Sequence, residues 1–245
     1  MARSPGETVY ERIAASRPAG DAIRPGGLAL TRRALCLCSF SPGIRMLDLG
    51  CGSGATVEYL SNHHTFHAVG IDPSLSMLRM GTGKFPALPL VRARGEDLPF
   101  GDEQMDCILA ECSLSVTTHP DVVLDECYRV LKPRGRLILS DIYARGEGGI
   151  PDTHFPSSSC CLAGAISREE WMERLERHGF RILLWEDHSK ALKEFAAMLI
   201  FSHGSLQEVW RRFFPCGERE QDASQAQMAV SRSRPGYFLL IASRE

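Results

Sequence analysis

The chain has 245 residues, of which 44% are hydrophobic and 24% are charged, and its formal net charge is −2. These values are typical of one globular α/β domain with elaborations, or of two domains at most. They argue against nucleic acid or an anionic membrane as general partners, and no apolar run approaches the roughly 18 residues of a spanning helix. We expect a cytoplasmic protein without membrane insertion, since the first 20 residues also lack an apolar signal core.

The nine cysteines form no C-x-x-C pair. Several of them lie inside predicted strands and helices, where a thiol packs like a small hydrophobic side chain. We therefore expect neither a disulfide framework nor a metal site.

The N-terminal segment predicts two helices, "GETVYERIAA" and "LALTRRALCLCSF", joined by the turn-rich link "RPAGDAIRPGG". Strand and helix patterns then alternate. The predicted strands are "IRMLDLG", "FHAVGID", "LPLVRA", "MDCILAE" and "RLILSDIY". The predicted helices are "ATVEYLSNHH", "PSLSMLRMGTG", which begins with its proline, and "HPDVVLDECYRVLK", which Pro133 and Gly135 end.

The last third of the chain begins with a loose stretch, "EGGIPDTHFPSSS". A helix follows in "SREEWMERLERHGF", where Ser167 and Glu170 have the spacing of a capping box. The remaining patterns predict a strand in "RILLWED", two helices broken near Gly204, and a final strand in "GYFLLIAS".

This alternation predicts a Rossmann-like, mostly parallel sheet with helices on both faces. Ligands bind such sheets outside the carboxyl ends of the strands. The candidate side chains converge on that edge, at Gly50–Gly54, Asp72, Gly95–Asp97, Glu111–Ser113 and Asp141.

The turn "DLGCGSGA" carries two overlapping cofactor signatures. Gly50, Gly52 and Ala55 satisfy the dinucleotide pattern, while Gly50, Gly52 and Gly54 resemble the turn of S-adenosylmethionine (SAM) methyltransferases. Asp48 stands two residues before the first glycine, where an acid would repel a pyrophosphate but suits the cationic groups of SAM. An acid at the second strand's end, Asp72, can accept from ribose hydroxyls and fits either cofactor.

Five stretches, in order and spacing, resemble class I SAM-dependent methyltransferases of the type 11 group, which includes quinone-biosynthesis C-methyltransferases and arsenite methyltransferases. They are "MLDLGCGSG", "VGIDPSLSML", "RGEDLPFGDEQMD", "CILAECSLS" and "RVLKPRGRLILSD". The resemblance implies a seven-stranded sheet whose last strand is antiparallel. It also implies transfer of a methyl group from SAM to a small-molecule acceptor by in-line displacement.

The resemblance further implies cofactor contacts. The methionine moiety would contact Asp48, Gly50, Cys51, Gly52, Ser53 and Gly54, and the ribose and adenine would contact Asp72, Pro73 and Met77. The edge of the adenine ring would contact Gly95, Glu96 and Asp97. The other side of the methyl donor would contact Glu111, Cys112 and Ser113. One departure stands at Arg94, where the family often has an acid for the adenine amino group. We expect that contact to rely on backbone or on Asp97, because arginine cannot accept a hydrogen bond.

We expect one domain in three parts: an N-terminal helical lid (1–43), a SAM-binding core (44–144) and a substrate-side region that completes the sheet with a helical insertion (145–245). By analogy, Tyr10 and residues 24–27 are candidates to cover the cofactor. The catalytic candidates are Cys160 and Cys161, in a stretch similar to one of arsenite methyltransferases, and His154 in the loose link.

Three other functions stay open. The chain is alternatively a thiol or metalloid methyltransferase that uses Cys160 or Cys161, although the cysteine that arsenite enzymes place after the glycine loop is missing. It is alternatively a SAM-binding protein without catalysis, or a dinucleotide enzyme. Buried thiols that only pack under the lid also account for the cysteine pair.

Overall fold

A computed structural model describes residues 8–16, 22–146, 161–162, 164–205, 207–209 and 233–245. The helices are α1 (Val9–Ala15), α2 (Gly27–Cys38), α3 (Ala55–His63), α4 (Leu75–Lys84), α5 (Pro120–Val130), α6 (Arg168–Arg177) and α7 (Ser189–His203). The strands are β1 (Arg45–Leu49), β2 (His67–Asp72), β3 (Leu90–Arg92), β4 (Met105–Glu111), β5 (Leu131–Tyr143), β6 (Phe180–Asp187) and β7 (Gly236–Arg244). Within these ranges, no helix is both long and apolar enough to cross a membrane.

The strands form one seven-stranded sheet in the order β3-β2-β1-β4-β5-β7-β6. The first five in this order are parallel, and β7 runs antiparallel between β5 and β6. The predicted fold class, with its antiparallel last strand, is confirmed. The order reverses between β1 and β4, so a crevice opens at their carboxyl ends, where such sheets bind ligands.

Two apolar layers cover the sheet because successive strand residues point to opposite faces. Leu47 and Ile108 belong to the layer that contains Trp171 of α6. Their neighbours Met46 and Cys107 belong to the layer that contains Leu60 of α3. Each is at most 1% exposed, so the sheet is rigid beneath the edge that carries the candidate site.

Capping residues set several helix ends. The predicted capping box of α6 is confirmed, since Glu170 N–H donates to Ser167 Oγ and Ser167 N–H donates to Glu170 Oε2. Helix α4 begins later than predicted, because Ser74 caps it by accepting from Met77 N–H and leaves the preceding proline outside.

The predicted helix from residue 119 to 132 was too long. Helix α5 ends at Val130, and Leu131 is extended and pairs with Met105 in the sheet. The residue before a proline disfavours helical backbone, and Lys132 precedes Pro133. Pairing with β4 therefore captures residues whose apolar spacing continues the helix.

Other predicted features have mixed outcomes. The break near Gly204 is confirmed, because α7 ends at His203 and residues 207–209 are helical again. The loose stretch 147–159 lies outside the described residues. The seven described cysteines are free thiols, and Cys51, Cys107 and Cys127 are buried.

Two glycines of α4 provide a matched test of how closely this helix packs on the glycine loop. A Cβ at Gly81 would lie 2.5 Å from the Ser53 carbonyl oxygen, whereas one at Gly83 would meet nothing within 4 Å. We expect Gly81→Ala to lower the free energy of unfolding by about 1–3 kcal/mol. We expect Gly83→Ala to raise it by about 0.5–1 kcal/mol, since alanine favours helix.

Urea denaturation of the two variants measures both changes. Equal gains in stability for both variants would contradict the close contact between α4 and the loop.

Candidate functional site

A cavity of about 390 Å³ opens at the carboxyl ends of β1, β2 and β4. Its walls come from the loop after β1, the end of β2, the loop after β3, the end of β4 and the N-terminal segment. The predicted site residues that line it are Gly50, Cys51, Gly52, Ser53, Asp72, Pro73, Met77, Gly95, Glu96, Glu111, Cys112 and Ser113. Asp48, Gly54, Asp97 and Asp141 are not in this lining.

The glycine loop turns sharply because its three glycines have positive φ angles of 77°, 55° and 80°. Gly50 has a further constraint, since a Cβ there would lie 2.5 Å from Ser113 Oγ. Ser113 Oγ itself donates to the Leu49 carbonyl at 2.6 Å, which holds the loop against the end of β4. The bare backbone that results can approach a ligand closely.

Asp72 stands at the end of β2 with both carboxylate oxygens in use. Oδ2 accepts from Gly52 N–H and Oδ1 from Ser74 N–H, each at 2.8 Å. Burial raises the pKa of this carboxyl group, while the two backbone hydrogen bonds act in the opposite direction. Its orientation is thereby fixed at the cavity wall, and each oxygen keeps a lone pair for a donor such as a ribose hydroxyl.

Asp48 is a second buried carboxyl group, 3% exposed, behind the lining. Burial and the nearby charge of Glu111 raise its pKa to about 8; Arg24 opposes the shift, and Asp72 adds to it. Its predicted role in direct contact with the cofactor stays a prediction. Because this pKa lies above neutrality, the carboxyl group of Asp48 is mostly protonated at neutral pH.

Arg24 lines the cavity, and sequence reasoning left it without a chemical role. Its Nη2 atom lies 2.7 Å from Glu111 Oε2 and donates to Thr31 Oγ1 and Thr56 Oγ1 at 2.8 and 2.9 Å. Both threonine hydroxyls donate to the Glu111 carboxylate as well. A buried polar cluster thus joins the N-terminal segment, α2, α3 and β4. Only the position of residues 24–27 in a candidate lid hinted at it.

The loop after β3 presents Glu96 to the cavity. Glu96 Oε1 accepts from Thr117 Oγ1 at 3.0 Å and lies 3.4 Å from Arg94 Nη2. Asp97, one of the two expected substitutes for the missing adenine acceptor, is exposed and outside the lining. Glu96 is therefore the acidic side chain of this loop that lines the cavity and can accept a hydrogen bond there.

The end of β4 turns through Cys112, whose φ of 57° is uncommon outside glycine. Its thiol lies 3.1 Å from the Tyr237 hydroxyl, and its N–H donates to the Ser140 carbonyl. Burial, the charge of Asp141 and the Cys161 thiol raise the pKa of Cys112 well above its ordinary value. The predicted catalytic candidate Cys161 is therefore near Cys112, a residue of the cavity lining.

The other predicted catalytic residues, Cys160 and His154, lie outside the described residues. Asp141, which the sequence places with the converging side chains, is 1% exposed and outside the cavity lining. It accepts instead from Ser115 N–H and Ser115 Oγ, which makes it a support for the turn after β4.

Comparison with known proteins identifies the fold's relatives. Residues 47–139 match the family model described as a methyltransferase domain. Over 141 residues, 54% of this chain and 54% of the relative, the chain is 34% identical to a ubiquinone/menaquinone biosynthesis C-methyltransferase, UbiE, of Vibrio cholerae. The chain spans about half the length of the curated relatives it matches.

Two solved structures share the fold over most of this chain. The [4+2]-cyclase SpnF is 25% identical with a TM-score of 0.65, over 88% of this chain and 80% of its own. Phosphoethanolamine N-methyltransferase 2 of Haemonchus contortus, solved with S-adenosyl-L-methionine, is 17% identical with a TM-score of 0.72, over 97% of this chain and 57% of its own. These two structures show the shared fold, and the match of residues 47–139 together with the Vibrio cholerae relative confirms the resemblance to methyltransferases.

The raised pKa of Asp48 makes stability depend on pH in a predictable direction. The folded chain binds this proton more tightly than the unfolded chain, so stability falls as pH rises from about 4 to about 8. An asparagine side chain stays uncharged at every pH. We therefore expect the free energy of unfolding of Asp48→Asn to rise relative to that of the wild type by up to a few kcal/mol across that range.

The measurement is urea denaturation of both proteins at several pH values. Asp106→Asn is the control at the opposite end of β4. Although burial raises the pKa of Asp106, its hydrogen bonds from Lys132 and Arg45 lower it overall, so its pH dependence has the opposite sign. A difference in the free energy of unfolding between Asp48→Asn and the wild type that stays constant with pH would contradict the prediction.

Proposed function

We propose that this chain, which carries a methyltransferase domain over residues 47–139, transfers a methyl group from SAM to a small-molecule acceptor by in-line displacement. The observation that carries the proposal is the charge around the glycine loop. Two carboxyl groups of the cavity lining, those of Asp72 and Glu111, are at most 9% exposed there and face one buried guanidinium, that of Arg24, whereas Asp48 behind the lining has a pKa of about 8 and is mostly protonated at neutral pH.

This charge distribution distinguishes the two cofactors that the glycine pattern admits. A dinucleotide brings a pyrophosphate, which the excess of buried carboxyl groups would repel. SAM brings an ammonium, a sulfonium and one carboxylate, and therefore carries a net positive charge. The remaining charged pair of the lining, Arg94 and Glu96, nearly cancels. The site thus favours a cationic ligand.

The residues present fit SAM. The loop at Gly50–Gly54 offers close backbone approach to the methionine moiety, Asp72 has free lone pairs for ribose hydroxyls, and Glu96 can accept from the adenine amino group. When bound, SAM supplies an activated methyl group, so the protein's main contribution is alignment. Alignment of two reactants about 3 Å apart contributes roughly 7–11 kcal/mol at best.

The N-terminal segment supports this alignment by covering the cavity. Thr8 and Tyr10 line it, and Glu11 of α1 accepts hydrogen bonds from Ser74 Oγ and Ser76 Oγ, next to Asp72. Helix α1 is thereby held over the end of β2. A covered cavity excludes water, which strengthens the electrostatic interactions inside it.

Binding and transfer need separate tests, because the same fold serves a protein named as a [4+2]-cyclase. A SAM-binding protein without transfer would bind the cofactor and leave every acceptor unmethylated. The assay measures transfer of a labelled methyl group from SAM to a panel of small acceptors that includes quinol precursors. Transfer to any of them distinguishes a methyltransferase from a protein that only binds SAM.

The first experiment is calorimetric titration of S-adenosylhomocysteine and of NADH. We expect the adenosyl ligand alone to bind, and Asp72→Asn to weaken it about ten- to hundredfold, because the variant loses charged acceptors toward donors at the cavity wall. Asp106→Asn is the matched control, since Asp106 lies at the other end of the sheet.

NADH binding with no response to the adenosyl ligand would overturn the proposed cofactor. Equal weakening by Asp72→Asn and Asp106→Asn would remove the specific role of Asp72 while leaving the cofactor in place.

We propose a second candidate acceptor, a soft trivalent metalloid such as arsenite, because Cys112 lines the cavity and the Cys161 thiol interacts electrostatically with it. Thiolates are soft ligands, and binding of the metalloid must displace their protons. The raised pKa of Cys112 opposes this step, which is why the metalloid ranks second. Cys160 keeps its place as a predicted alternative partner.

If the second candidate is right, Cys112→Ser and Cys161→Ser abolish methylation of arsenite supplied with thiol, while affinity for S-adenosylhomocysteine stays within about threefold, since serine is nearly isosteric. Cys36→Ser, on the exposed side of α2, is the control. Arsenite methylation that survives in both variants would exclude a thiol site built on this pair.

A further inference from the structure

We propose that Arg129 of α5 is a positioning residue for the ligand. It fixes the loop after β3, and through that loop it sets how strongly Glu96 selects a ligand that carries an amino group on its purine ring. The inference rests on the proposed function, in which Glu96 accepts from the adenine amino group. It assigns a consequence for binding to a side chain outside the described cavity lining.

The Arg129 guanidinium holds the loop by its backbone. Nη1 donates to the Phe100 carbonyl at 2.8 Å, and Nη2 donates to the Leu98 carbonyl at 3.3 Å. Nη1 also donates to Asp102 Oδ1 at 2.9 Å. The main-chain carbonyl of Arg129 accepts from Glu103 N–H at 3.0 Å. Four residues of the loop are therefore fixed to one residue of the helix.

Glu126, one turn earlier in α5, orients this guanidinium. Its two carboxylate oxygens accept from Arg129 Nε and Nη2, each at 2.7 Å, in the paired geometry that a guanidinium and a carboxylate favour. Glu126 Oε2 also accepts from Leu98 N–H at 2.8 Å. The hydrogen bond from Arg129 lowers the pKa of Glu126 against the effect of burial, so the pair is charged at neutral pH.

The donors of Arg129 are thereby fully used. Its five hydrogen bonds match the five N–H groups of a guanidinium, so the position of the group is determined from several sides. A lysine at this position could not make the same set of contacts, because its ammonium is a single point charge.

The same loop begins at the cavity. Gly95 and Glu96 line the cavity, and Glu96 accepts from Thr117 Oγ1 at 3.0 Å. A Cβ at Gly95 would lie 3.1 Å from both methyl groups of Val123, so α5 supports the loop at this end too. Positions 123, 126 and 129 lie one turn apart along α5, and they contact successive parts of the loop.

This support decides where the Glu96 carboxylate lies. A hydrogen bond needs a distance of about 2.7–3.2 Å between donor and acceptor, so a shift of about 1 Å in the loop would remove the contact to a ligand. Arg94, whose side chain is 66% exposed, lies 3.4 Å from Glu96 Oε1. A loop released from Arg129 would let Glu96 follow this exposed partner away from the cavity.

The test compares S-adenosylhomocysteine with its 6-deamino analogue, in which a hydrogen atom replaces the adenine amino group. In calorimetric titration we expect the wild type to bind the first about tenfold more tightly, as for one hydrogen bond to a charged acceptor. Glu96→Ala should remove this preference. Arg129→Met should weaken binding of S-adenosylhomocysteine about tenfold as well and leave the analogue within about threefold.

A double variant tests whether Arg129 acts through Glu96. If it does, Glu96→Ala/Arg129→Met should bind S-adenosylhomocysteine within about threefold of Glu96→Ala alone. Two independent effects would instead add to a loss of about a hundredfold. Arg129→Lys keeps the positive charge beside Glu126, so it should fold, by circular dichroism, and still lose most of the preference.

Arg174→Met is the matched control. Arg174 of α6 lies 3.2 Å from Asp121 of α5, so the variant removes an ion pair from the same helix on the side that faces α6. The side chains of Arg174 and Arg129 are 23% and 33% exposed, so the two changes are comparable. Arg174→Met should bind both ligands like the wild type.

The outcomes are distinguishable. Equal weakening of both ligands by Arg129→Met and Arg129→Lys would overturn the inference, since Arg129 would then only support the fold. A preference that survives in either folded variant would overturn it too, and so would additive losses in the double variant. If the wild type binds both ligands equally, the roles of Glu96 and Arg129 fail while the cofactor stands. If it binds neither, the proposed function fails as well.

Discussion

The buried ion pair between Arg24 and Glu111 connects the parts of this molecule that chemistry needs together. Glu111 ends β4, at the point where the strand order reverses, and Arg24 comes from the segment that precedes the sheet. Two threonines, from α2 and α3, share the same carboxylate. Because separation would leave a charge buried without its partner, the N-terminal segment stays against the cavity.

Much of the fold could be predicted, since the alternation of strands and helices is local and the apolar faces are pronounced. The limits "MDCILAE" for β4 are those observed, and the capping box of α6 follows from two residues three apart. Helix α5 was predicted too long because the sheet captured Leu131, an interaction with Met105 that no local pattern contains. Long-range pairing decided that boundary.

The candidate site, like the fold, could be predicted from the sequence only in part. The glycines and Asp72 could be found because one turn between a strand and a helix has a recognisable spacing, and the cavity does form there. Arg24 lacked such a signal: its meaning depends on Thr56 and Glu111, which are 32 and 87 positions away in the chain. Sequence spacing could not indicate that three distant groups meet at one buried point.

The excess of carboxyl groups around the glycine loop also bears on turnover. In the proposed reaction the ligand enters with a cationic sulfonium and leaves as a neutral thioether, while the carboxyl groups of Asp72 and Glu111 stay in place. Attraction between site and ligand therefore falls when the methyl group departs. Such a cavity holds the spent donor less tightly than the fresh one, which limits product inhibition without any moving part.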